Sequence, residues 1–270
     1  MLEIKDIYKT FNPGTINEVR SLQGITLSIE EGEFVTVIGT NGSGKSTLLN
    51  AIAGGFTVDQ GSIWIDGNDV THWQEYKRAK FIGRVFQNPF SGTAPNLSIA
   101  ENLSLAAYRG LPRGFGRVLN KDLRNQIIDT IKTLGMGLED RLDNIIGSLS
   151  GGQRQALTLL MATWLKPKLL LLDEHTAALD PKSADQVIRI TERIVSENRL
   201  TTFMVTHSMQ QAVDLGNRLV MLHRGRVVHD FSGSEKNRLR PEDLMARFEE
   251  VRRADRLDQS VADLLKRRYV

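Results

Sequence analysis

The sequence predicts an α/β fold with a mostly parallel sheet at its core. Three runs carry that expectation: Phe34-Val35-Thr36-Val37-Ile38, Leu169 to Asp173 (LLLLD) and Thr201 to Thr206 (TTFMVT). All are short, apolar or β-branched and unalternating, as strands buried on both faces are. The last two flank a helical stretch from about Pro181 to Glu197, which opens with proline in its first turn. Strand, helix and strand in that order give the crossover rhythm of a parallel sheet.

Each further element follows from local chemistry. LEIKDIYKTF (2–11) and GITLSIEEGEFVTVIG (24–39) are hairpin-prone, with Glu30-Glu31-Gly32-Glu33 as the turn signal between two β-rich runs. A helix is expected over about Lys45 to Ala53, a glycine-bounded strand over Gly61 to Gly67, and a helical stretch over residues 72–80. From about Asn88 to Thr163 helices take over: Ser98 to Tyr108, Lys121 to Leu134 with its apolar repeat at Ile127, Ile128, Ile131 and Leu134, and Gln153 to Leu165. This reads as a helical insertion over about 88–163. Between its first two helices, YRGLPRGFGRVLN (108–120) reads as an exposed flexible loop rather than an RNA contact, because it carries no repeat. Arg218 to Leu222 and Val227 to Phe231 flank His223-Arg224-Gly225-Arg226, a hairpin with a glycine turn. Residues 1–232 form the main domain on this reading. Beyond Ser232, Leu244, Phe248, Val251, Leu257, Val261, Leu264 and Leu265 give an amphipathic helical tail over 233–270, expected to pack on the body or at a subunit contact.

Composition narrows the function. The 270 residues suffice for one large domain or two modest ones. The absence of cysteine excludes a disulfide framework, a thiol nucleophile and a cysteine zinc site. Against 32 acidic residues the 35 basic ones leave a net charge of only +3, too small an excess for the basic surface of a nucleic-acid binder. The longest apolar stretch, Ala156 to Leu165, stops at Lys166-Pro167-Lys168, far short of the ~18 residues a membrane span needs. No apolar leader opens the chain, so it is expected to stay where it is made. His175, His223 and His229 lack metal-ligand spacing and are expected to be solvated surface histidines.

The chemistry concentrates after the first buried strand. Gly39-Thr40-Asn41-Gly42-Ser43-Gly44-Lys45-Ser46-Thr47 fits GxxxxGK[ST] between a strand and a helix, the context that motif requires. Glycines let successive N–H groups turn inward as an anion nest, and the helix adds its positive end. Lys45 is then placed for the β- and γ-phosphates of a nucleotide and Ser46 for Mg²⁺. Asp173 ends the LLLL strand at the sheet edge where open α/β folds bind ligands, and can hold the same Mg²⁺. Glu174 is the candidate to orient attacking water and accept its proton, with a helix-capping role as the alternative. His207 ends the next strand and can donate to the γ-phosphate, or is simply a strand-end histidine.

Leu149-Ser150-Gly151-Gly152-Gln153 lies at a helix start about twenty residues before Asp173. With this motif the sequence resembles the ATP-binding cassette (ABC) ATPases, whose signature is LSGGQ. The resemblance spans about residues 2–230. It implies ATP and Mg²⁺ as ligands, and a phosphate-loop fold with an N-terminal antiparallel β subdomain and an inserted α-helical subdomain. Ser150, Gly151, Gly152 and Gln153 present a hydroxyl, bare N–H groups and a helix N-terminus to an anion. In that family two such domains meet head to tail, each ATP lying between one phosphate loop and the other signature, so a homodimer is implied. Gln87 in VFQNP matches the glutamine that reaches the metal and water, Asp180 in AALD matches the loop that follows the catalytic carboxylate, and His207 matches the switch histidine. Phe11 in YKTF matches the aromatic that stacks on adenine, with a core role for Phe11 or its neighbour Tyr8 as the alternative. The sequence departs from the family at His175, where proline is usual.

DEHTAALDP and FQNPFSGTAPNLSIAENLSLA resemble ATPase subunits of bacterial uptake systems for aromatic or other amino-acid-like solutes. This implies integral membrane permease subunits and a solute-binding protein as partners, and a place on the cytoplasmic face of the membrane. The energy subunit of an exporter is the nearest alternative. A soluble ABC ATPase fits less well, since the chain has neither a second cassette nor a long coiled-coil insertion. A small-molecule kinase leaves LSGGQ unexplained.

Overall fold

The computed structural model describes residues 1–110 and 120–253. Strands β1 (Leu2–Phe11), β2 (Val19–Ile29), β4 (Gln60–Ile65) and β5 (Asn68–Asp69) make an antiparallel sheet in the order β2-β1-β4-β5. A second sheet holds β3 (Phe34–Gly39), β6 (Ile82–Val85), β7 (Leu169–Asp173), β8 (Thr201–Val205), β9 (Arg218–His223) and β10 (Arg226–Ser232) in the order β10-β9-β3-β8-β7-β6. Its neighbours pair parallel except in the β9–β10 hairpin. The helices are α1 (Lys45–Ala53), α2 (Glu75–Arg78), α3 (Ile99–Ala107), α4 (Lys121–Lys132), α5 (Gly151–Thr163), α6 (Pro181–Asn198), α7 (Met209–Asp214) and α8 (Gly233–Lys236), with residues 241–253 also helical.

The four leucines of β7 show why its sequence does not alternate. Leu169 and Leu171 enter one core, Leu170 and Leu172 the other. Successive strand side chains point to opposite faces, so a strand covered on both sides is apolar throughout. The first core lies between the two sheets and encloses α1 through Leu48, Leu49 and Ile52. The second joins the opposite face of the parallel sheet to α3, α4, α5 and α6 through Leu103, Ile127, Leu157 and Ile190. A third seats the helix at 241–253, whose Leu244 and Phe248 meet Ile38, Leu219, Met221 and Phe231. Each buried side chain of this kind contributes ~1.5–3 kcal/mol to holding the helix against the sheet.

Two local expectations change, and one strand is unanticipated. The turn at Glu30–Glu33 does not close a hairpin: β2 pairs with β1, and the chain then crosses to β3 in the other sheet. The helix expected over 72–80 shrinks to the single turn of α2. Arg78, 1% exposed, donates to the carbonyls of Ala51 and Ile52 at 2.7 and 2.8 Å and also to Thr71 and Trp73. It thus caps the last turn of α1, and burial lowers its pKa to about 10. Finally β6, only four residues long and containing Gly83 and Arg84, lacks a hydrophobic pattern legible as a strand. Most of the loop expected at 108–120, and Leu257, Val261, Leu264 and Leu265 of the tail, lie outside the described residues. Among those described, no helix is long and apolar enough to cross a membrane.

Candidate functional site

The phosphate loop joins β3 to α1 at the C-terminal edge of the parallel sheet. Gly42 and Gly44 adopt φ of 76° and 99°, and a Cβ on Gly44 would lie 2.6 Å from the Ser21 carbonyl oxygen, so both backbone angle and space require glycine. Gly44 is also the N-cap of α1 and offers no side-chain hydrogen bond. The helix thus starts with uncapped N–H groups, the arrangement that accepts an anion. Lys45 is 4% exposed and donates to the carbonyls of Gly39 and Thr40 at 2.9 and 3.1 Å, folding the loop round its own ammonium. Burial lowers its pKa, with Glu174 and Asp173 acting in the opposite direction. Ser43 Oγ is buried without a partner, Thr47 Oγ1 lies 2.7 Å from Ser21 Oγ, and the Ser46 residue is exposed.

The acidic pair stands at the end of β7. Asp173 pairs with Arg84 across 3.7 Å, its side chain 16% exposed. Burial raises its pKa, and Arg84 is the largest opposing influence. Glu174 sits in the left-handed region at φ 47°, a strained position for a side chain of this kind, held by its N–H donating to Val205 O at 2.9 Å. That turn leaves its carboxylate 9% exposed, with Oε1 2.6 Å from His207 Nε2. A carboxylate only accepts, so Nε2 carries the proton of this contact. Gln211 of α7 fixes the turn from behind: its Nε2 donates to Thr176 Oγ1 at 3.1 Å, and Thr206 Oγ1 donates to its Oε1 at 2.9 Å.

A divalent cation fits this corner. It offers one half-buried carboxylate, Asp173, and one exposed hydroxyl residue, Ser46. No group of three or more His, Asp and Glu is arranged to hold a metal ion by itself among the described residues. Such a sparse donor set suits Mg²⁺, which keeps water and phosphate oxygens in its shell.

The LSGGQ segment forms a second, separate site. Ser150 is the N-cap of α5 in a capping box: Gln153 N–H donates to Ser150 Oγ and Ser150 N–H to Gln153 Oε1, both at 3.3 Å. A cavity of about 190 Å³ opens here, lined by Met136, Ser150, Gly152, Gln153, Ser183 and Gln186, with none of the phosphate-loop residues. A Cβ on Gly152 would meet Ser183 Cβ at 2.8 Å, so glycine lets α5 start against α6. Asp180 caps α6 by accepting from Ser183 N–H at 3.1 Å, and hydrogen bonds from the Ser183 side chain and backbone lower its pKa. Arg154, 5% exposed, ties down the preceding segment through Gly147 O and Leu149 O at 2.8 Å and lies 3.6 Å from the Phe90 ring centroid.

The remaining candidates lie apart. Gln87 is exposed just beyond β6. Phe11 ends β1, edge-on to Phe56 with centroids 5.4 Å apart, with Lys9 Nζ over both rings. His175 corrects the surface assignment: it is 2% exposed, and burial lowers its pKa to about 4. Thr191 Oγ1 donates to Val187 O at 2.9 Å and so accepts from His175 Nε2 at 3.0 Å, tying the acidic turn to α6. Sequence reasoning missed Arg84, Arg154 and Gln211, since each acts through a contact distant in the chain.

The ABC transporter family matches residues 22–177. The chain is 44% identical over 250 residues to the tyrosine transport ATP-binding protein of Clostridioides difficile (strain R20291), covering 92% of this chain and 99% of that one. It is 33% identical to the phosphate import ATP-binding protein PstB of Aeropyrum pernix, over 84% of this chain and 89% of that one. Among solved structures, a dimeric post-hydrolysis state of the cassette MJ0796 bound to ADP and Pi matches with a TM-score of 0.73 and 28% identity, covering 86% of this chain and 98% of that one. A motif set folded around one phosphate loop, together with these likenesses, makes the chain a member of the ABC transporter family: an ATP-binding subunit and transport-coupled ATPase.

Proposed function

We propose that two copies of this chain close head to tail on two MgATP and drive a separate membrane permease in solute uptake, with a solute-binding protein delivering the cargo. The observation that carries the catalytic half is the Asp173, Glu174 and His207 cluster at the sheet edge that also bears the phosphate loop. The likeness to a tyrosine transport subunit along nearly its whole length supports an aromatic or related amino acid as cargo. Residues 1–232 form the cassette in this reading, with 88–163 as its helical subdomain and 233–270 as an appended tail.

Lys45 leaves the loop carbonyls for the β- and γ-phosphates, while the N–H groups of Gly39 to Thr47 wrap them. Ser46, Asp173 and Gln87 would hold the metal. Mg²⁺ supplies neutralisation of phosphate charge. Glu174 orients the attacking water and accepts its proton, and His207 releases that carboxylate to donate its Nε2–H toward the γ-phosphate. Phe11 stacks on adenine. Ser150 to Gln153 of the second copy cover the γ-phosphate from the far side, with Asp180 at the junction. The permease sits in a groove of about 710 Å³ lined by Tyr76, Phe86, Leu105 and Arg109, beside Gln87. Reconstituting the subunit with its neighbouring permease tests uptake: ATP-dependent accumulation of labelled tyrosine inside vesicles supports it, and ATP-dependent efflux overturns it.

A further inference from the structure

Arg84 stands between the groove and the metal corner. It is the third residue of β6, its backbone beside Leu171 of β7. Nη2 donates to Asn50 Oδ1 of α1 at 2.7 Å and lies 3.7 Å from Asp173 Oδ2. Nη1 lies 3.7 Å from Glu75 Oε1, and the guanidinium rests 4.5 Å from the Phe86 ring centroid. Its Nε is buried and has no partner. The same side chain lines the groove together with Glu75 and Phe86.

Two carboxylates therefore draw on one cation from opposite sides. Asp173 is 16% exposed and Glu75 57% exposed. A carboxylate largely withdrawn from water is stabilised by a counter-charge, and Arg84 makes the one ion pair found for Asp173 among the described residues. We propose that Arg84 is the resident counter-cation of Asp173, a positioning residue whose charge competes with Mg²⁺ for that carboxylate and is shared with the groove through Glu75. Anything acidic entering the groove draws Arg84 toward itself and strengthens the hold of Asp173 on the metal. Loss of acid on that side weakens it. The inference rests on the reading of Asp173 as the carboxylate that meets Mg²⁺.

The test uses the full chain and a fluorescent non-hydrolysable ATP analogue. Its Kd is measured in EDTA and in excess Mg²⁺, so that the ratio of the two reads the contribution of the metal. Arg84→Gln keeps a donor for Asn50 and removes the charge; it is expected to raise the ratio about tenfold, the scale of one nearby unit charge at a protein surface. Arg84→Lys keeps the charge and holds the ratio within about twofold of the unsubstituted protein. Glu75→Gln lowers it by about twofold, since an exposed partner acts weakly. An unchanged or lowered ratio in an Arg84→Gln protein that melts normally overturns the proposal. If Arg84→Gln fails to fold, Glu75→Gln decides alone, and an unchanged or raised ratio there overturns it. Failure of the unsubstituted chain to bind the analogue contradicts the nucleotide reading instead.

Discussion

Two helices of this chain begin at glycine-rich anion motifs, and they begin differently. Helix α1 has glycine as its N-cap and no side chain closing its first turn. Helix α5 closes its own end, with Ser150 and Gln153 satisfying each other in a capping box. A helix N-terminus attracts negative charge in both cases. The first is left open, with Lys45 folded back on the carbonyls of its own loop, as the proposed phosphate site requires. The second lies in a different cavity and holds its hydroxyl in a long 3.3 Å bond that a stronger acceptor can replace. In the proposed function one binds nucleotide within its own chain, and the other completes a site on a second copy.

Substitutions separate the two helix starts, beginning with the largest effect. Lys45→Ala is expected to weaken ATP binding by about 1,000-fold, as loss of a buried charge-assisted contact does, read by calorimetry. Ser150→Arg is expected to leave binding to the monomer within about twofold while lowering phosphate release by about 100-fold. Equal losses in binding for both variants break the comparison. A link between the two regions is His175, which joins the acidic turn to α6 against which α5 starts. Its folded pKa of about 4 lies below the ordinary ~6.5, so the unfolded chain takes up the proton first as pH falls. The associated stability is fully present above ~pH 6.5 and is lost toward pH 4 at up to ~1.4 kcal/mol per pH unit. Denaturation across that window should be shallower in pH dependence for His175→Gln. Gln153→Ala removes half of the capping box and should cost ~1 kcal/mol in urea unfolding, with unchanged ATP binding to the monomer.

The legibility of the chain follows the same division. Contiguous features were readable: α1 runs from Lys45 to Ala53 as the apolar spacing implies, and β7 and the start of α6 at Pro181 fall where leucines and proline place them. The phosphate loop announced itself because its chemistry needs glycine at fixed steps. Long-range contacts were not readable. Arg78 bends the chain at 72–80 through carbonyls of α1, some 26 residues earlier for Ile52, and no local propensity encodes that. His175 looked solvated because its polar partner, Thr191, lies 16 residues away on a helix face. Arg84 joins Asn50, Glu75 and Asp173, and only the fold places those three together. The candidate site was thus visible as a set of motifs, while its electrostatic wiring emerged from the packing.

The central claim is that the α5 start serves a second copy of the chain. Light scattering of Glu174→Gln with and without MgATP tests it most directly, since that variant retains the phosphate loop and lacks the carboxylate proposed to activate the attacking water. The account predicts a particle of twice the chain mass only when ATP is present, and its loss when Ser150→Arg is added. A protein that binds ATP yet stays monomeric at every concentration contradicts the account.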